Sequence, residues 1–388
     1  LQTRCCSVVG GRGVDHNGSH TNSYPPHRSP KDSEHTFMII DLAHTKTHAI
    51  TTRLRELREE RGEVATGRVL TFIVVVNAAE GHSAHLDRVI ESTYDASREH
   101  PARVIVLVSH RDVEETRLDA EIRLGGDAGA SEIIVMHLNG ELSAHRANVV
   151  TPLLLPDTPV VVWWPANAPR NPSADPIGAL ATRRITDSFF DADSDAIYRR
   201  RMTYTPGDSD LVWSRITLWR GLLASTLDQP PHEEILSAQV HGPEGEPSID
   251  IAAGWLADRL DVPVTRHVRD TDSSRDCVSV YKVELQRTDS SIVVEEVNAT
   301  TVSVTVSRDG EDKQSFVTMS RRATGDCLAE ELRHLDPDRA FGHALRGLVR
   351  VNRPDRRGMY SKAMRANSEY FDGPAHAGDS AYDQASMR

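Results

Sequence analysis

Four runs of apolar, mostly β-branched residues constrain this chain more than anything else in it. They are RVLTFIVVV (68–76), ARVIVLVS (102–109), SEIIVMHL (131–138) and TPVVVWW (158–164). Each is short, rich in Val and Ile, and free of the polar alternation of a half-solvated strand, so each reads as a strand buried on both faces. Amphipathic stretches separate them. Ile50, Leu54 and Leu57 follow helical spacing, with Arg53, Arg55, Glu56, Arg58 and Glu59 on the wet side. Leu86, Val89, Ile90 and Tyr94 mark a second helix, and GELSAHRANVVTPLLLP reads as a third that ends before Pro156. Strand and helix in alternation predict a mostly parallel sheet with helices on its faces: an α/β, Rossmann-like domain over residues 38–190.

The pattern then changes twice. Residues 168–188 are rich in Pro and Asp, and a helical connector is expected over 191–231. Its clearest helix is Asp210–Leu227, where Val212, Ile216, Trp219 and Leu223 form one apolar stripe and DQPP ends it. Residues 232–352 read as an α+β C-terminal domain. A helix near Ile249–Leu260 precedes the strands CVSVYKVELQ, SIVVEEV, TVSVTVS and QSFVTMS. Val302, Val304 and Val306 alternate with Ser and Thr, as in an antiparallel sheet with one solvated face. Two last helices carry Leu328, Leu332 and Leu335, then Phe341, Ala344, Leu345 and Leu348. Residues 1–37 and 353–388 are polar and without periodicity, so a disordered leader and tail are expected, with Met38 read as the natural start.

Composition narrows the function. The formal charge is −12 over 388 residues, which argues against a dedicated nucleic-acid binder, because that affinity comes from Lys and Arg neutralising phosphates. No stretch approaches the ~20 apolar residues of a membrane span, and no signal sequence is evident, so a cytoplasmic protein is expected. Cys5, Cys6, Cys277 and Cys327 show no CxxC spacing. Cys277 and Cys327 read as ordinary buried thiols, the alternative being a redox pair.

Motifs for chemistry are largely missing. GGRG (10–13) has no strand before it, GGDAGA (125–130) lacks GxGxxG spacing, and there is no P-loop, GxSxG or HExxH. No cofactor, metal or catalytic residue is therefore expected. In the turn after the first strong strand, Asn77, Gly81 and Ser83 form either a small anion nest or a plain polar turn with a Ser cap. His82 and His85 read as a solvated helix start rather than half of a metal site. Asp175, Asp187, Asp191, Asp193 and Asp195 form either a functional loop or a solvated acidic linker.

The best candidate surface follows the fourth strand. Trp163 and Trp164 point to opposite faces, so one is expected in the core and one towards a crevice or partner. With Pro165, and with Arg183 and Arg184 beside Asp187, they make a candidate partner-binding set, since Trp and Arg are enriched in interface hot spots. The competing reading is two core tryptophans and a solvated Arg pair.

Four blocks together, residues 38–76, 137–165, 171–191 and 210–230, resemble the OpcA family of bacterial glucose-6-phosphate dehydrogenase assembly proteins, with WWP and the downstream DPIGALATRRITD as the most specific part. The resemblance runs from about Met38 to about Val351. It implies a non-catalytic partner that assembles and allosterically activates that dehydrogenase in the oxidative pentose phosphate pathway. Some members are linked to thioredoxin-dependent control, but neither Cys277 nor Cys327 matches a redox motif. The alternative is a nucleotide- or sugar-phosphate-binding protein using the crevice above Asn77, Gly81 and Trp164.

Overall fold

The computed structural model describes residues 37–61, 69–78, 83–125, 132–269 and 280–354. Nearly all of the expected leader and tail, together with Gly81, His82, the side chains of Ser83 and His85, and Cys5, Cys6 and Cys277, lie outside the described residues.

The first part runs β1 (Phe37–Leu42), α1 (Thr47–Arg61), β2 (Leu70–Asn77), α2 (Ser83–Glu99), β3 (Ala102–His110), β4 (Leu118–Gly125), β5 (Glu132–Asn139), α3 (Arg146–Val150), β6 (Val160–Trp163), β7 (Arg183–Thr186), α4 (Ala196–Arg201) and β8 (Asp208–Asp210). Its strands form one eight-stranded sheet in the order β1-β4-β5-β3-β2-β6-β7-β8. The four apolar runs are β2, β3, β5 and β6, and all pair in parallel, Val74 standing opposite Val106 on one side and Trp163 on the other. β7 and β8 continue the parallel array, while β4 and β1 add an antiparallel flank. Counting from β2, the chain winds outward through β3 and β5, then returns and winds the other way through β6, β7 and β8. This is the doubly wound arrangement, and its reversal lies between β2 and β6, where a crevice opens at the strands' carboxyl ends.

Both faces of this sheet are covered, as continuous apolar strands require. On one face Phe72, Val74, Val104, Val106 and Trp163 pack beneath Val89, Ile90 and Tyr94 of α2. On the other, Ile73, Ile105, Ile134, Val162 and Trp164 meet Ile50, Leu54 and Leu57 of α1. The helix expected over 140–155 is broken instead. A 3-10 turn (Gly140–Ala144), the short α3 and another 3-10 turn (Thr151–Leu153) succeed one another. His145, at φ −108 and ψ 29, leaves the helical region between the first two, and Pro152 brings no N–H to the third.

The second part runs α5 (Leu211–Arg215), α6 (Thr217–Leu227), β9 (Ile235–Gly242), α7 (Pro247–Leu260), β10 (Val264–Val268), β11 (Lys282–Arg287), β12 (Ser290–Asn298), β13 (Thr301–Arg308), β14 (Glu311–Thr318), α8 (Thr324–Arg333), α9 (Arg339–Gly347) and β15 (Val351–Asn352). The helix expected over 210–227 splits at Ile216, whose φ −93 and ψ 8 interrupt it, yet its whole apolar stripe is buried. The second sheet has the order β14-β13-β12-β11-β9-β10-β15. It is mixed: antiparallel from β14 to β9, then parallel through β10 and β15, because α7 makes a crossover between β9 and β10. Its inner face, with Val240, Leu285, Val294 and Val302, packs against Trp213, Trp219, Leu256 and Phe341. Its outer face keeps half-exposed Lys282, Glu284, Ser291 and Glu295.

One element crosses over. α8 follows the second sheet in sequence but covers the first, placing Cys327, Leu328 and Leu332 in the same core as α2. The described residues, 37–354, belong to one compact unit.

Candidate functional site

β7 and β8 carry buried ion pairs at both ends, Arg183, Arg184 and Asp208 at the amino ends and Asp187 and Asp210 at the carboxyl ends. Arg183 Nη2 donates to Glu331 Oε2 at 2.5 Å and its Nη1 to the Asp336 carbonyl at 2.8 Å. Glu331 also accepts from Ser209 Oγ at 2.6 Å and from Ser214 Oγ. Arg184 pairs with Asp208 and donates to the carbonyls of Ala181 and Pro206 at 2.9 and 2.8 Å. Asp187 takes both ends of the Arg215 guanidinium at 2.6 and 2.7 Å. That carboxylate holds the guanidinium above its ordinary pKa, while burial pushes the Asp187 carboxyl up and Arg215 opposes that shift.

Asp210 is the hinge of the group. It caps α5 by accepting from the Val212 N–H at 3.1 Å, and it accepts from the hydroxyls of Thr186 and Ser188 at 2.6 and 2.5 Å. Arg200 joins it at 3.3 Å and also pairs with Asp191. Asp191 in turn accepts from the Ala168 N–H at 3.2 Å, tying the loop after β6 to the loop after β7. Burial pushes the Asp191 carboxyl up to about 6; Arg200 opposes the shift and Asp210 adds to it.

Two glycines allow the close packing of these loops. A Cβ on Gly178 would stand 1.8 Å from the Pro172 carbonyl oxygen and 3.3 Å from the Trp164 ring. Gly207, at φ +96, adopts a backbone conformation that side chains oppose, and its carbonyl accepts from the Arg184 N–H at 2.8 Å.

Above the ion pairs lies an open cleft of about 510 Å³, lined by Asn167, Arg170, Asp191, Asp193, Arg199 and Arg200 among others. Asn167 sits at φ +47, which Asn tolerates, and its Oδ1 accepts from the Ala192 N–H at 2.9 Å. Arg199 is neutralised by Asp193 at 2.8 Å, whereas Arg170 is exposed with no carboxylate partner among the described residues. Phe190 and Met202, in the same loops, are 47 % and 40 % exposed.

The residues expected to touch a partner lie beneath this surface rather than on it. Trp163 and Trp164 do point to opposite faces, but helices and loops cover both, leaving them 1 % and 3 % exposed. The division into one core and one outward-facing indole is therefore corrected: both are core. Pro165, Arg183, Arg184 and Asp187 are buried as well. Neither arginine pairs with Asp187; their carboxylates come from Glu331 and Asp208. Of the five aspartates, Asp187 and Asp191 are buried counterions, Asp193 pairs with Arg199, and Asp175 accepts from the Ile177 N–H at 2.9 Å, so a free acidic linker is not what forms. Sequence reasoning missed Arg200, Asp208, Asp210, Arg215 and Glu331. Only the charge inside otherwise apolar stretches could have flagged them.

A second cleft, of about 440 Å³, opens at the carboxyl ends of β2 and β3 between Asn77, Ala78, Ser109, His110, Arg111 and Asp112. His110 Nε2 stands 3.0 Å from His137 Nδ1, and burial, then the neighbouring ring, holds His110 below its ordinary pKa. Cys327 is fully buried and its thiol is pushed up to about 11 by burial.

Two family models match in succession. Residues 93–202 match the glucose-6-phosphate dehydrogenase subunit N-terminal domain, and residues 206–345 match the C-terminal domain of that subunit. This chain belongs to the OpcA family. The models cover less than the expected 38–351, beginning inside α2 and ending within α9. In this OpcA-family chain the boundary between them falls just before β8, a strand of the first sheet. No curated protein sequence matches the chain. Among solved structures, it is similar to an NAD binding oxidoreductase from Klebsiella pneumoniae, at 8 % identity over 73 % of this chain and 96 % of that one, with a TM-score of 0.39. The transcriptional regulator Gal80p from Kluyveromyces lactis gives 7 % identity over 76 % and 93 %, again at 0.39. A levoglucosan dehydrogenase gives 11 % over 74 % and 92 % at 0.36. These likenesses are too distant to bear on function. Among the described residues no helix is long and apolar enough to cross a membrane, and no group of three ligating side chains is placed to hold a metal.

Proposed function

We propose that this chain is a non-catalytic assembly factor and allosteric activator of glucose-6-phosphate dehydrogenase, acting in the cytoplasm within the oxidative pentose phosphate pathway. The observation that carries the reading is the match of both subunit-domain models, in order, along one chain. The dehydrogenase docks on the rim of the larger cleft, where Arg170, Phe190 and Met202 combine cationic, aromatic and thioether character on one loop system, the composition enriched in interfaces. Trp163, Trp164, Pro165, Arg183, Arg184 and Asp187 serve that surface from below by fixing the loops that present it, so the rim is ordered before binding and loses less entropy on docking.

Activation is linkage: a partner that binds one oligomer or conformation of the enzyme better than another shifts the population by that difference. A tenfold gain in apparent substrate affinity needs about 1.4 kcal/mol. Mixing the purified chain with its cognate dehydrogenase lowers the enzyme's apparent KM for glucose 6-phosphate or enlarges its oligomer in light scattering. Arg170→Glu weakens that effect while leaving the melting temperature of this chain unchanged, and Phe190→Ala weakens it with a small loss of melting temperature, because that ring also faces Arg215. An enzyme indifferent to the folded wild-type chain in both readouts defeats the reading; undiminished activation by both variants defeats the rim assignment alone.

A further inference from the structure

We propose that the smaller cleft, at the ends of β2 and β3, is a binding site for a nucleoside carrying a ribose 2′-phosphate, read by Ser109 and Arg111. The inference goes beyond the assembly reading and does not depend on it, because it rests on strand order and on side chains remote from the docking rim.

Position is the first argument. In a doubly wound sheet, ligands lie in the crevice outside the carboxyl ends of the strands, next to the reversal of strand order. Here the reversal is between β2 and β6, and the cleft stands over β2 and β3, the first two parallel strands. In that position the residues ending the second strand meet the 2′ position of a ribose. A carboxylate there accepts a hydrogen bond from a 2′-hydroxyl, and a guanidinium there accommodates a 2′-phosphate. β3 ends in Ser109 and His110, followed by Arg111, with no carboxylate at the strand end.

Unsatisfied chemistry is the second argument. Ser109 is 3 % exposed, lines the cleft, and its buried Oγ has no hydrogen-bond partner among the described residues, an uncommon condition for a buried hydroxyl. Arg111 is exposed and has no carboxylate partner among the described residues, whereas nearby Arg117 pairs with Glu115 and Asp119. Arg146, already paired with Asp175 at 3.5 Å, adds a weaker like charge facing Arg111.

The missing glycine fingerprint sets the limit of the site. Without GxGxxG the backbone approach to a pyrophosphate is not specified, so selectivity falls on the 2′-phosphate and not on the dinucleotide as a whole. Asp112, also on the wall, opposes the anion.

Isothermal titration of the isolated full chain tests this, with 2′,5′-ADP, 5′-AMP and inorganic phosphate as separate probes. The expected result is 2′,5′-ADP binding at least about tenfold tighter than either other probe, a loss of about tenfold or more in Arg111→Ala, and tighter binding in Asp112→Asn. Both side chains are exposed, so unchanged melting temperatures establish that the variants fold. Equal affinity for 5′-AMP overturns the 2′-phosphate assignment, and equal affinity for inorganic phosphate overturns the nucleoside. Binding untouched by Arg111→Ala, or no heat up to about 5 mM ligand, overturns the site.

Discussion

Replacing Asp187 by Asn strands a guanidinium in the middle of the protein. Arg215 is 3 % exposed and Asp187 is 0 % exposed, so neither side chain reaches water after the change. The charge keeps the field of the Asp210 carboxylate and the rings of Phe189 and Phe190, at 5.3 and 5.6 Å from its carbon, the rings offsetting about 1 kcal/mol. Removing one partner of a buried pair costs about 3–5 kcal/mol, leaving a net loss of about 3 kcal/mol. For a chain of this size that lowers Tm by about 4 °C. Urea unfolding followed by tryptophan fluorescence reads it as a lower midpoint at unchanged slope. Adding Arg215→Met removes the stranded charge, and the double variant recovers most of the loss. A single variant within about 1 kcal/mol of wild type, or a double variant no better than the single, refutes the claim that this pair is a buried, mutually dependent unit.

Asp191 gives a pH signature. Its folded value of about 6 exceeds the ordinary 3.8 of an aspartate, so the native state holds a proton that the unfolded chain has released, and stability falls as pH rises through that window. Relative to Asp191→Asn, wild type should lose about 2.4 kcal/mol between pH 4 and pH 7; parallel stability curves would place the carboxyl near its ordinary value. Buried Cys327 should be silent towards Ellman's reagent: native wild type and Cys327→Ala show equal numbers of fast-reacting thiols, and one fewer in the variant would mean that the thiol is accessible.

The four central strands were legible because burial on both faces leaves an unbroken apolar run. β7 and β8 were not, since RRIT and DSD read as loop. Their charges are buried only because Glu331, Asp208 and Arg200 arrive from other segments, Glu331 from 148 residues beyond Arg183. The same separation hid the site. Spacing showed that Trp163 and Trp164 diverge, but only tertiary packing reveals that α2 and α8 close over one face and α1 over the other. Arg183, Arg184 and Asp187 read as a surface set or a solvated Arg pair because their counterions, Glu331, Asp208 and Arg215, are distant in sequence. The mixed second sheet escaped notice for a related reason. β10, VTRHV, is short and half polar.

Because β8 lies past the end of the N-terminal family model yet completes the first sheet, and α8 roofs that sheet from more than a hundred residues further on, the two family domains are not interchangeable parts. A gene cut near residue 205 would yield one fragment with an unzipped flank and a bare apolar plate, and another with an orphaned lid. Both pieces must travel on a single polypeptide.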